Sequence, residues 1–295
     1  MQLTTDNLNS LCQTAISAAL TAGQLISDYT GREIKVENKT GGSSLASQVV
    51  TEVDLLSQQC ILEIIEPTCK SYDLALLTEE SADDHSRLEK DYFWCIDPLD
   101  GTLPFTESTP GYAVSIALVT KAGIPQIGVV YDPVKQTLYH AIKGHGAYRN
   151  QEPWLVTKDC NKKPLTLITD RSFLKHPLFE ASMTELKRIS NQLGCTKLST
   201  IHHGGAAMNA LWVLENSPAC YFKYPKPQDG GGSLWDYAAT ACVFHEMGAA
   251  VSDIHGDPLE LNRVDSTFMN HRGVLFAHTA ELAIHIQTLY QQLVV

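Results

Sequence analysis

The chain has 295 residues, of which 44% are hydrophobic and 19% are charged, an ordinary globular composition that excludes disorder, collagen-like repeats and coiled coil. The 22 Lys and Arg residues against 33 Asp and Glu residues give a formal net charge of −11, which disfavours charge-driven binding to a nucleic acid polymer or an anionic lipid surface. If the substrate is an anion, something other than side-chain cations must attract it.

Hydrophobic periodicity predicts, in chain order, helices over 8–22 and 53–64, strands over 74–77 and 92–96, and an antiparallel meander of strands over 112–120, 124–131 and 136–142. Gly31 follows the first helix, a polar Gly/Ser loop at 41–44 precedes the second, and Pro67 is expected to end the second helix. The short turns between the later strands favour antiparallel pairing.

A polar stretch over 150–164 marks a predicted boundary between an N-terminal α+β domain, residues 1–155, and a C-terminal α/β domain, residues 156–295. Beyond it, strands are predicted over 165–169, 219–223, 249–252 and 273–276, and helices over 179–193, 206–214, 235–247 and from about 279. Strands that alternate with helices favour a mixed α/β layer.

The compartment is predicted from what the sequence lacks. No run of about 18 apolar residues predicts a membrane span, and the first residues lack the basic and apolar pattern of a signal peptide. The eight cysteines are scattered and include no C-x-x-C pair, a pattern typical of reduced thiols. Because reduced thiols persist in the cytoplasm, we expect a cytoplasmic protein.

Motifs of several other enzyme classes are absent. The sequence contains no Walker A loop, no dinucleotide-binding G-x-G-x-x-G, no H-E-x-x-H zinc helix and no G-x-S-x-G elbow. The adjacent pair His202-His203 is interpreted as a loop or sheet-edge feature rather than as a set of metal ligands. These absences turn attention to the acidic residues.

Asp97 and Asp100 follow a predicted strand and are separated by Pro98 and Leu99. Proline fixes its own φ and disfavours a helical conformation at the preceding residue, so an extended turn could aim both carboxylates to one side and leave the Leu99 carbonyl free. Two carboxylates and a backbone oxygen are hard ligands that suit Mg²⁺ better than Zn²⁺.

Gly101-Thr102 adds backbone N–H groups and a hydroxyl, which are the groups that seat a phosphate. Each piece has a simpler interpretation when it stands alone. An Asp-Pro-x-Asp-Gly segment is commonly a surface turn, Glu79-Glu80 a solvated loop, and Asp236 the N-cap of a helix. Their occurrence together with Thr51-Glu52-Val53-Asp54, in this order, favours a functional site.

In this combination the sequence resembles the inositol monophosphatase superfamily of Mg²⁺-dependent, lithium-sensitive phosphomonoesterases. The segments that carry the resemblance are Thr51–Asp54, Thr78–Ser81, Trp94–Thr102 and Trp235–Ala239. The resemblance covers nearly the whole chain. It implies an α+β, mixed α/β fold, a layered αβαβα sandwich with an antiparallel sheet in the N-terminal part and a mixed sheet in the C-terminal part.

The resemblance also implies a site for two Mg²⁺ ions, and in some members for a third, weaker ion. One ion would be held by Glu79, Asp97 and the Leu99 carbonyl, and the second by Asp97, Asp100 and Asp236, while Glu79 and water would hold the third. Asp54 and Thr102 would polarise the attacking water. The substrate would contact the N–H groups of Gly101 and Thr102, the turn at Gly205-Ala206 and Asp229, which stands seven residues before Asp236 in a glycine-rich loop.

Five carboxylates in one cleft repel one another, at a cost on the order of 4 kcal/mol for each close pair at an effective dielectric constant near 20. Cations must therefore fill such a cluster, and no Lys or Arg stands within these motifs. Bound metals would then attract an anionic substrate to an acidic protein. The implied reaction is direct attack of metal-activated water on phosphorus, without a phosphoenzyme.

The substrate is left open by the sequence. A small phosphorylated metabolite of the inositol monophosphate type is the first expectation, and adenosine 3′,5′-bisphosphate, the substrate of the sister 3′(2′),5′-bisphosphate nucleotidases, is the alternative. Leu103-Pro104-Phe105 matches neither group cleanly. A catalytically silent regulator that binds metal or phosphometabolite on the same scaffold is a third interpretation. A homodimer is common in the superfamily.

Overall fold

The computed structural model describes residues 2–32, 36–38, 49–155 and 162–294. The helices in these ranges are α1 (Thr5–Tyr29), α2 (Glu52–Tyr72), α3 (Thr102–Thr106), α4 (Phe179–Gln192), α5 (Ala206–Glu215), α6 (Leu234–Met247) and α7 (Ala280–Val294). The strands are β1 (Val36–Asn38), β2 (Val49–Thr51), β3 (Ala75–Thr78), β4 (Tyr92–Asp100), β5 (Ala113–Thr120), β6 (Pro125–Asp132), β7 (Thr137–Ile142), β8 (Ala147–Arg149), β9 (Glu152–Pro153), β10 (Leu165–Ile168), β11 (Leu198–Ile201), β12 (Ala219–Lys223), β13 (Ala250–Ser252) and β14 (Val274–Ala277). The predicted loop at 41–44 and the first residues after the predicted domain boundary at 155/156 lie outside the described residues.

The larger sheet has seven strands in the order β3-β4-β5-β6-β7-β8-β9. Neighbours from β4 onward pair antiparallel, which is the predicted meander, and β3 joins the edge parallel to β4. A short two-stranded pair, β1 with β2, precedes α2. The meander follows from short turns, because only antiparallel strands can be joined by a few residues.

The smaller sheet has five strands in the order β11-β10-β12-β14-β13. β10 pairs parallel to both β11 and β12, while β14 pairs antiparallel to β12 and β13, so the sheet is mixed. The sequence did not predict β11. Its residues include Ser199 and Thr200, which lie at a partly exposed sheet edge, so the strand lacks the apolar run that marks a buried one.

Helices separate and cover the two sheets, which gives the expected αβαβα layering. α1 and α2 pack on the outer face of the larger sheet, α5 and α6 lie between the sheets, and α4 and α7 cover the outer face of the smaller sheet. A core of apolar side chains fills each interface. None of the helices in the described ranges combines the length and apolar character needed to cross a membrane.

The prediction that Pro67 ends the second helix is wrong. α2 continues through Pro67 to Tyr72 and ends at Asp73, which adopts a left-handed conformation with φ of 51°. A proline inside a helix removes one N–H donor and leaves the carbonyl of Glu63, four residues earlier, without its helical partner. Both Glu63 and Pro67 are exposed, so water can satisfy that carbonyl and the helix persists.

Gly128 in β6 brings the larger sheet close to α6. A Cβ atom at this position would stand 2.2 Å from the carbonyl oxygen of Ala239 and 2.9 Å from the Cβ of Cys242. Backbone cannot move aside as a flexible side chain can. We therefore expect Gly128→Ala to lower the free energy of unfolding by about 3 kcal/mol in chemical denaturation.

Gln126 in the same strand provides the control, because its side chain is half-exposed and donates to the nearby Ile124 carbonyl at 3.3 Å. Gln126→Ala should change the free energy of unfolding by no more than about 0.5 kcal/mol. Equal stability of Gly128→Ala and wild type would contradict the close approach of β6 to α6.

Candidate functional site

Asp54 and Asp236 are positioned by the first turns of two helices. Each is the third helical residue after a capping hydroxyl residue, Thr51 before α2 and Ser233 before α6. The backbone N–H of Thr51 donates to Asp54 Oδ2 at 2.8 Å, and that of Ser233 donates to Asp236 Oδ2 at 2.6 Å. Asp236 is thus not the N-cap that its sequence position alone suggests. This reciprocal capping fixes where both carboxylates point.

Asp97 and Asp100 face the same side because of a bulge in β4. Side chains alternate along a strand, so two residues three apart would normally point to opposite faces. Asp97 pairs with Ser115 and Asp100 with Ala113, so three steps along β4 oppose two steps along β5. The extra residue reverses the alternation. One carboxylate oxygen from each of Asp97, Asp100 and Asp236 lies within 4.8 Å of the others; we call these residues the acid trio.

Glu79 follows β3 directly beside the acid trio. Thr78 pairs with Ile96 in the parallel β3-β4 ladder, and the N–H of Glu79 donates to the Ile96 carbonyl at 3.1 Å. Glu79 therefore stands next to Asp97, although its carboxylate lies outside the 4.8 Å group. The first ion implied by the resemblance would draw these two carboxylates together with the buried carbonyl of Leu99.

The electrostatics of the acid trio favour cations. Burial raises the pKa of Asp97 well above its usual value, and repulsion by Glu79, then by Asp100 and Asp236, raises it further. Burial and Asp236 likewise raise the pKa of Asp100. These groups resist ionising together without a compensating positive charge. Their hard oxygen donors fit Mg²⁺.

Asp100 is also bound by the N-terminus of α5. The N–H groups of Ala206 and Ala207 donate to its two carboxylate oxygens at 2.9 and 2.8 Å, and these bonds oppose the rise in its pKa. A Cβ at Gly205 would stand 2.5 Å from Asp100 Oδ2, so this approach requires glycine. Because the Ala206 N–H is engaged with Asp100, a contact between this turn and a leaving group would have to use another atom.

Asp54 and Thr102 meet although they come from different elements. The Thr102 hydroxyl donates to Asp54 Oδ1 at 3.1 Å, and the Thr51 hydroxyl donates to Asp54 Oδ2 at 2.5 Å. Burial raises the pKa of Asp54 to about 6, against the lowering effect of the hydrogen bonds from Thr51. Thr102 begins α3 directly after Gly101, so the predicted phosphate-binding N–H groups lie beside this pair.

Asp229 is exposed and lies in the glycine-rich loop before α6. The structure instead places two residues beside the acid trio that the sequence motifs do not include. Lys223 ends β12, and its ammonium lies 2.7 Å from a carboxylate oxygen of Asp170. Burial raises the pKa of Asp236, and the Lys223 ammonium opposes that rise.

The positions of Asp170 and Lys223 in the sequence contain a hint of their ion pair. Asp170 and Lys223 stand at the carboxyl ends of β10 and β12, which are adjacent parallel strands, and such ends meet at one sheet edge. The sequence predicted both strands without predicting that they are neighbours. The sequence patterns alone therefore do not predict that the Lys223 ammonium lies at this sheet edge.

Comparisons with known proteins identify the family to which the chain belongs. A family model described as the inositol monophosphatase family matches residues 7–293. The chain is 31% identical over 250 residues to Nus factor SuhB of Pasteurella multocida, covering 84% of this chain and 87% of that protein. It is 30% identical over 256 residues to inositol-1-monophosphatase of a Synechocystis species, covering 87% and 83%.

Solved structures give the same result for the fold. The inositol monophosphatase of an Anabaena (Nostoc) species superposes with a TM-score of 0.69 at 25% identity and covers 97% of each chain. The suhB protein of Bartonella henselae superposes with a TM-score of 0.71 at 21% identity, covering 95% of this chain and 98% of that one, and this likeness shows the fold alone. Since the family model spans nearly the whole sequence, this chain belongs to the inositol monophosphatase family.

Proposed function

We propose that the chain is a Mg²⁺-dependent phosphomonoesterase that hydrolyses a small phosphorylated metabolite. The observation that carries this proposal is the acid trio, two buried carboxylates and one half-buried carboxylate with oxygens within 4.8 Å of one another, in a family that depends on Mg²⁺. A protein gains no stability from such a cluster unless a cation occupies it.

The proposed ligands are those implied by the resemblance. Glu79, Asp97 and the Leu99 carbonyl would hold one Mg²⁺ ion, and the acid trio would hold a second. Glu79 with water would hold a third if turnover requires it. When bound, these ions supply a lowered pKa for coordinated water and positive charge for the phosphate oxygens. Lithium should inhibit the enzyme, as in the superfamily.

Asp54 and Thr102 would orient the attacking water and accept its proton. The Thr102 hydroxyl already donates to Asp54, so its own oxygen remains available to accept a hydrogen bond from water. A pKa of about 6 leaves Asp54 mostly ionised at neutral pH, as a proton acceptor must be. The N–H groups of Gly101 and Thr102 would hold the phosphate in line with that water.

An inositol monophosphate is the first substrate to test, because relatives carry the name inositol-1-monophosphatase. Adenosine 3′,5′-bisphosphate is the alternative, since the sister nucleotidases share the proposed metal ligands. Gly205, Ala206 and Asp229 would face the leaving group in either case. Asp229 is exposed, so its contact would require the glycine-rich loop to close over the substrate.

A second candidate is a non-catalytic role, because several relatives carry the name Nus factor SuhB. The Asp54–Thr102 hydrogen bond argues against it, since these residues would serve the water rather than the metal. Phosphate release from inositol 1-phosphate, adenosine 3′,5′-bisphosphate and fructose 1,6-bisphosphate, with and without Mg²⁺, separates the two. Mg²⁺-dependent release supports the enzyme, and no release from any substrate supports the non-catalytic role.

The proposal includes a reducing compartment, the cytoplasm. Six cysteines in the described ranges are free thiols, and four of these, Cys12, Cys95, Cys220 and Cys242, are buried. Buried free thiols are typical of proteins that fold where glutathione keeps thiols reduced. A homodimer is proposed by analogy with the superfamily.

Asp97→Asn tests whether the acid trio binds the metal. Without divalent cations the variant should unfold several degrees above wild type at neutral pH, because the substitution removes repulsion worth about 1–3 kcal/mol. In wild type, Mg²⁺ should raise the Tm, and in the variant this rise and the phosphatase activity should disappear. Differential scanning fluorimetry measures the Tm values with and without Mg²⁺, and a phosphate-release assay measures the activity.

The same comparison has a defined pH dependence. Because folding raises the pKa of Asp97, the folded wild type holds a proton that the unfolded chain releases, so its stability falls as pH rises above the unfolded value of about 3.9. The stability advantage of Asp97→Asn should therefore widen from about pH 5 to about pH 7.5. Asp132→Asn is the control, a buried aspartate elsewhere that should leave the Mg²⁺ effect intact. A full Mg²⁺ shift in Asp97→Asn would contradict the assignment.

Thr102→Ala tests the water-positioning role. Loss of the hydroxyl should lower kcat by about 10²–10⁴-fold while KM changes little, because the interaction acts on the attacking water. Thr102→Ser keeps the hydroxyl and should retain kcat within about tenfold of wild type. Steady-state kinetics on the best substrate give both constants, and an unchanged kcat in Thr102→Ala would remove Thr102 from the mechanism.

A further inference from the structure

Ser57 reaches from α2 to the part of β4 that carries Asp97 and Asp100. Its side chain is fully buried, and its hydroxyl donates to the carbonyl oxygen of Pro98 at 2.7 Å. A serine inside a helix commonly bonds to the carbonyl four residues earlier in the same helix. The bond of Ser57 joins two elements instead, across 41 residues of sequence. The hydroxyl therefore acts on the strand.

The peptide unit that Ser57 binds is held at both of its polar ends. Ser57 binds the Pro98 carbonyl, while the Leu99 N–H of the same unit donates to Asp97 Oδ1 at 2.9 Å. This peptide bond is trans and planar, so its C=O and N–H groups point in opposite directions and fixing one group fixes the other. The Ser57 hydroxyl thus aims the N–H group that holds the Asp97 carboxylate.

The larger sheet does not fix the orientation of this peptide. The β4-β5 register passes from Asp97 to Asp100, so the ladder skips Pro98 and Leu99. Residues at a bulge are left outside the regular pairing of the strands, and proline brings no N–H group of its own. The orientation of the peptide therefore depends on side chains, with Ser57 at one end and Asp97 at the other.

The helix that carries Ser57 touches the same segment at a second point. Asp54 and Ser57 are three residues apart on α2, so both lie on one helix face. The Thr102 hydroxyl donates to Asp54 at 3.1 Å, a few residues beyond the Pro98 carbonyl that Ser57 binds. A long helix anchored at two points gives the bulge a firm support.

Loss of the Ser57 hydroxyl would free the peptide. Pro98 is buried, so its carbonyl would become a buried acceptor without that donor, which is energetically costly. Rotation of the peptide toward another donor would reduce this cost. The same rotation would carry the Leu99 N–H away from Asp97, because the two polar groups turn together.

The direction of the Asp97 carboxylate matters to both proposed ions. It would hold one ion with Glu79 and the Leu99 carbonyl, and the other ion with the rest of the acid trio. Metal affinity falls when the groups behind a ligand no longer fix its orientation. A carboxylate that loses its support would therefore weaken both positions.

We infer that Ser57 is a positioning residue for Asp97, which it holds in a cation-binding orientation through the Pro98–Leu99 peptide. The inference rests on the proposed metal-dependent function and adds a residue to it. Ser57 lies outside the segments that carry the family resemblance, Thr51–Asp54 and Trp94–Thr102.

Binding of Mn²⁺ to the metal-free protein tests the inference without any substrate. In isothermal titration calorimetry, Ser57→Ala should raise the Kd for Mn²⁺ about tenfold or more, because the support of a ligand is lost. Ser57→Thr keeps the hydroxyl and should keep the Kd within about threefold of wild type. If the added methyl group prevents Ser57→Thr from folding, the alanine variant and its control still decide the question.

Ser182→Ala is the matched control. Ser182 is also fully buried, and its hydroxyl donates to the Leu178 carbonyl at 2.7 Å in α4, on the outer face of the smaller sheet. Both alanine variants should lower the Tm of the metal-free protein, since each removes a buried hydrogen bond. Ser182→Ala should nevertheless leave the Kd for Mn²⁺ within about twofold of wild type, because distant sites act independently.

Three outcomes would overturn the inference. An unchanged Kd in Ser57→Ala would remove the positioning role and leave the metal site standing. Equal weakening in Ser57→Ala and Ser182→Ala would assign the effect to a general loss of stability. No binding of Mn²⁺ by the wild type would overturn the proposed metal site together with the role of Ser57.

Discussion

Repulsion among closely spaced carboxylates that are largely withdrawn from water governs the candidate site. Asp97, Asp100 and Asp236 converge within 4.8 Å, and burial opposes their ionisation. Each accepts at least one backbone N–H, from Leu99, from Ala206 and Ala207, or from Ser233. These donors hold the carboxylates in place, but neutral amides do not cancel three negative charges. The arrangement is consistent with a pocket for divalent cations.

Three local structural features bring the carboxylates of the acid trio together. The bulge in β4 turns Asp97 and Asp100 to one side, the capping arrangement before α6 aims Asp236 at them, and the N-terminus of α5 receives Asp100. The layered fold brings these features together because α5 and α6 lie between the two sheets. Thr102 follows Asp100 by two residues and donates to Asp54, so the chain itself keeps the Asp54–Thr102 pair close to the acid trio. The site is therefore assembled from the ends of elements, where the backbone offers unpaired donors.

Much of this organisation could be predicted from the sequence, and the failures have physical causes. Periodicity identified the long helices and the buried strands, because these bury a regular apolar face. It failed at Pro67, where exposure lets water replace a helical partner, and at β11, whose edge position relaxes the apolar pattern. The order of the motifs indicated the acidic residues, because each motif is a short segment that can be recognised without knowing the fold. Lys223 and Asp170 were missed because their proximity depends on which strands are neighbours in the sheet.

Family membership leaves the reaction open, since relatives carry both enzyme and Nus factor names. The acid trio should bind divalent cations. Anomalous diffraction from crystals of the protein soaked in Mn²⁺ would locate such ions. We expect anomalous peaks within coordination distance of Asp97, Asp100 and Asp236. Ordered carboxylates with no peak between them at saturating Mn²⁺ would rule out a metal site there.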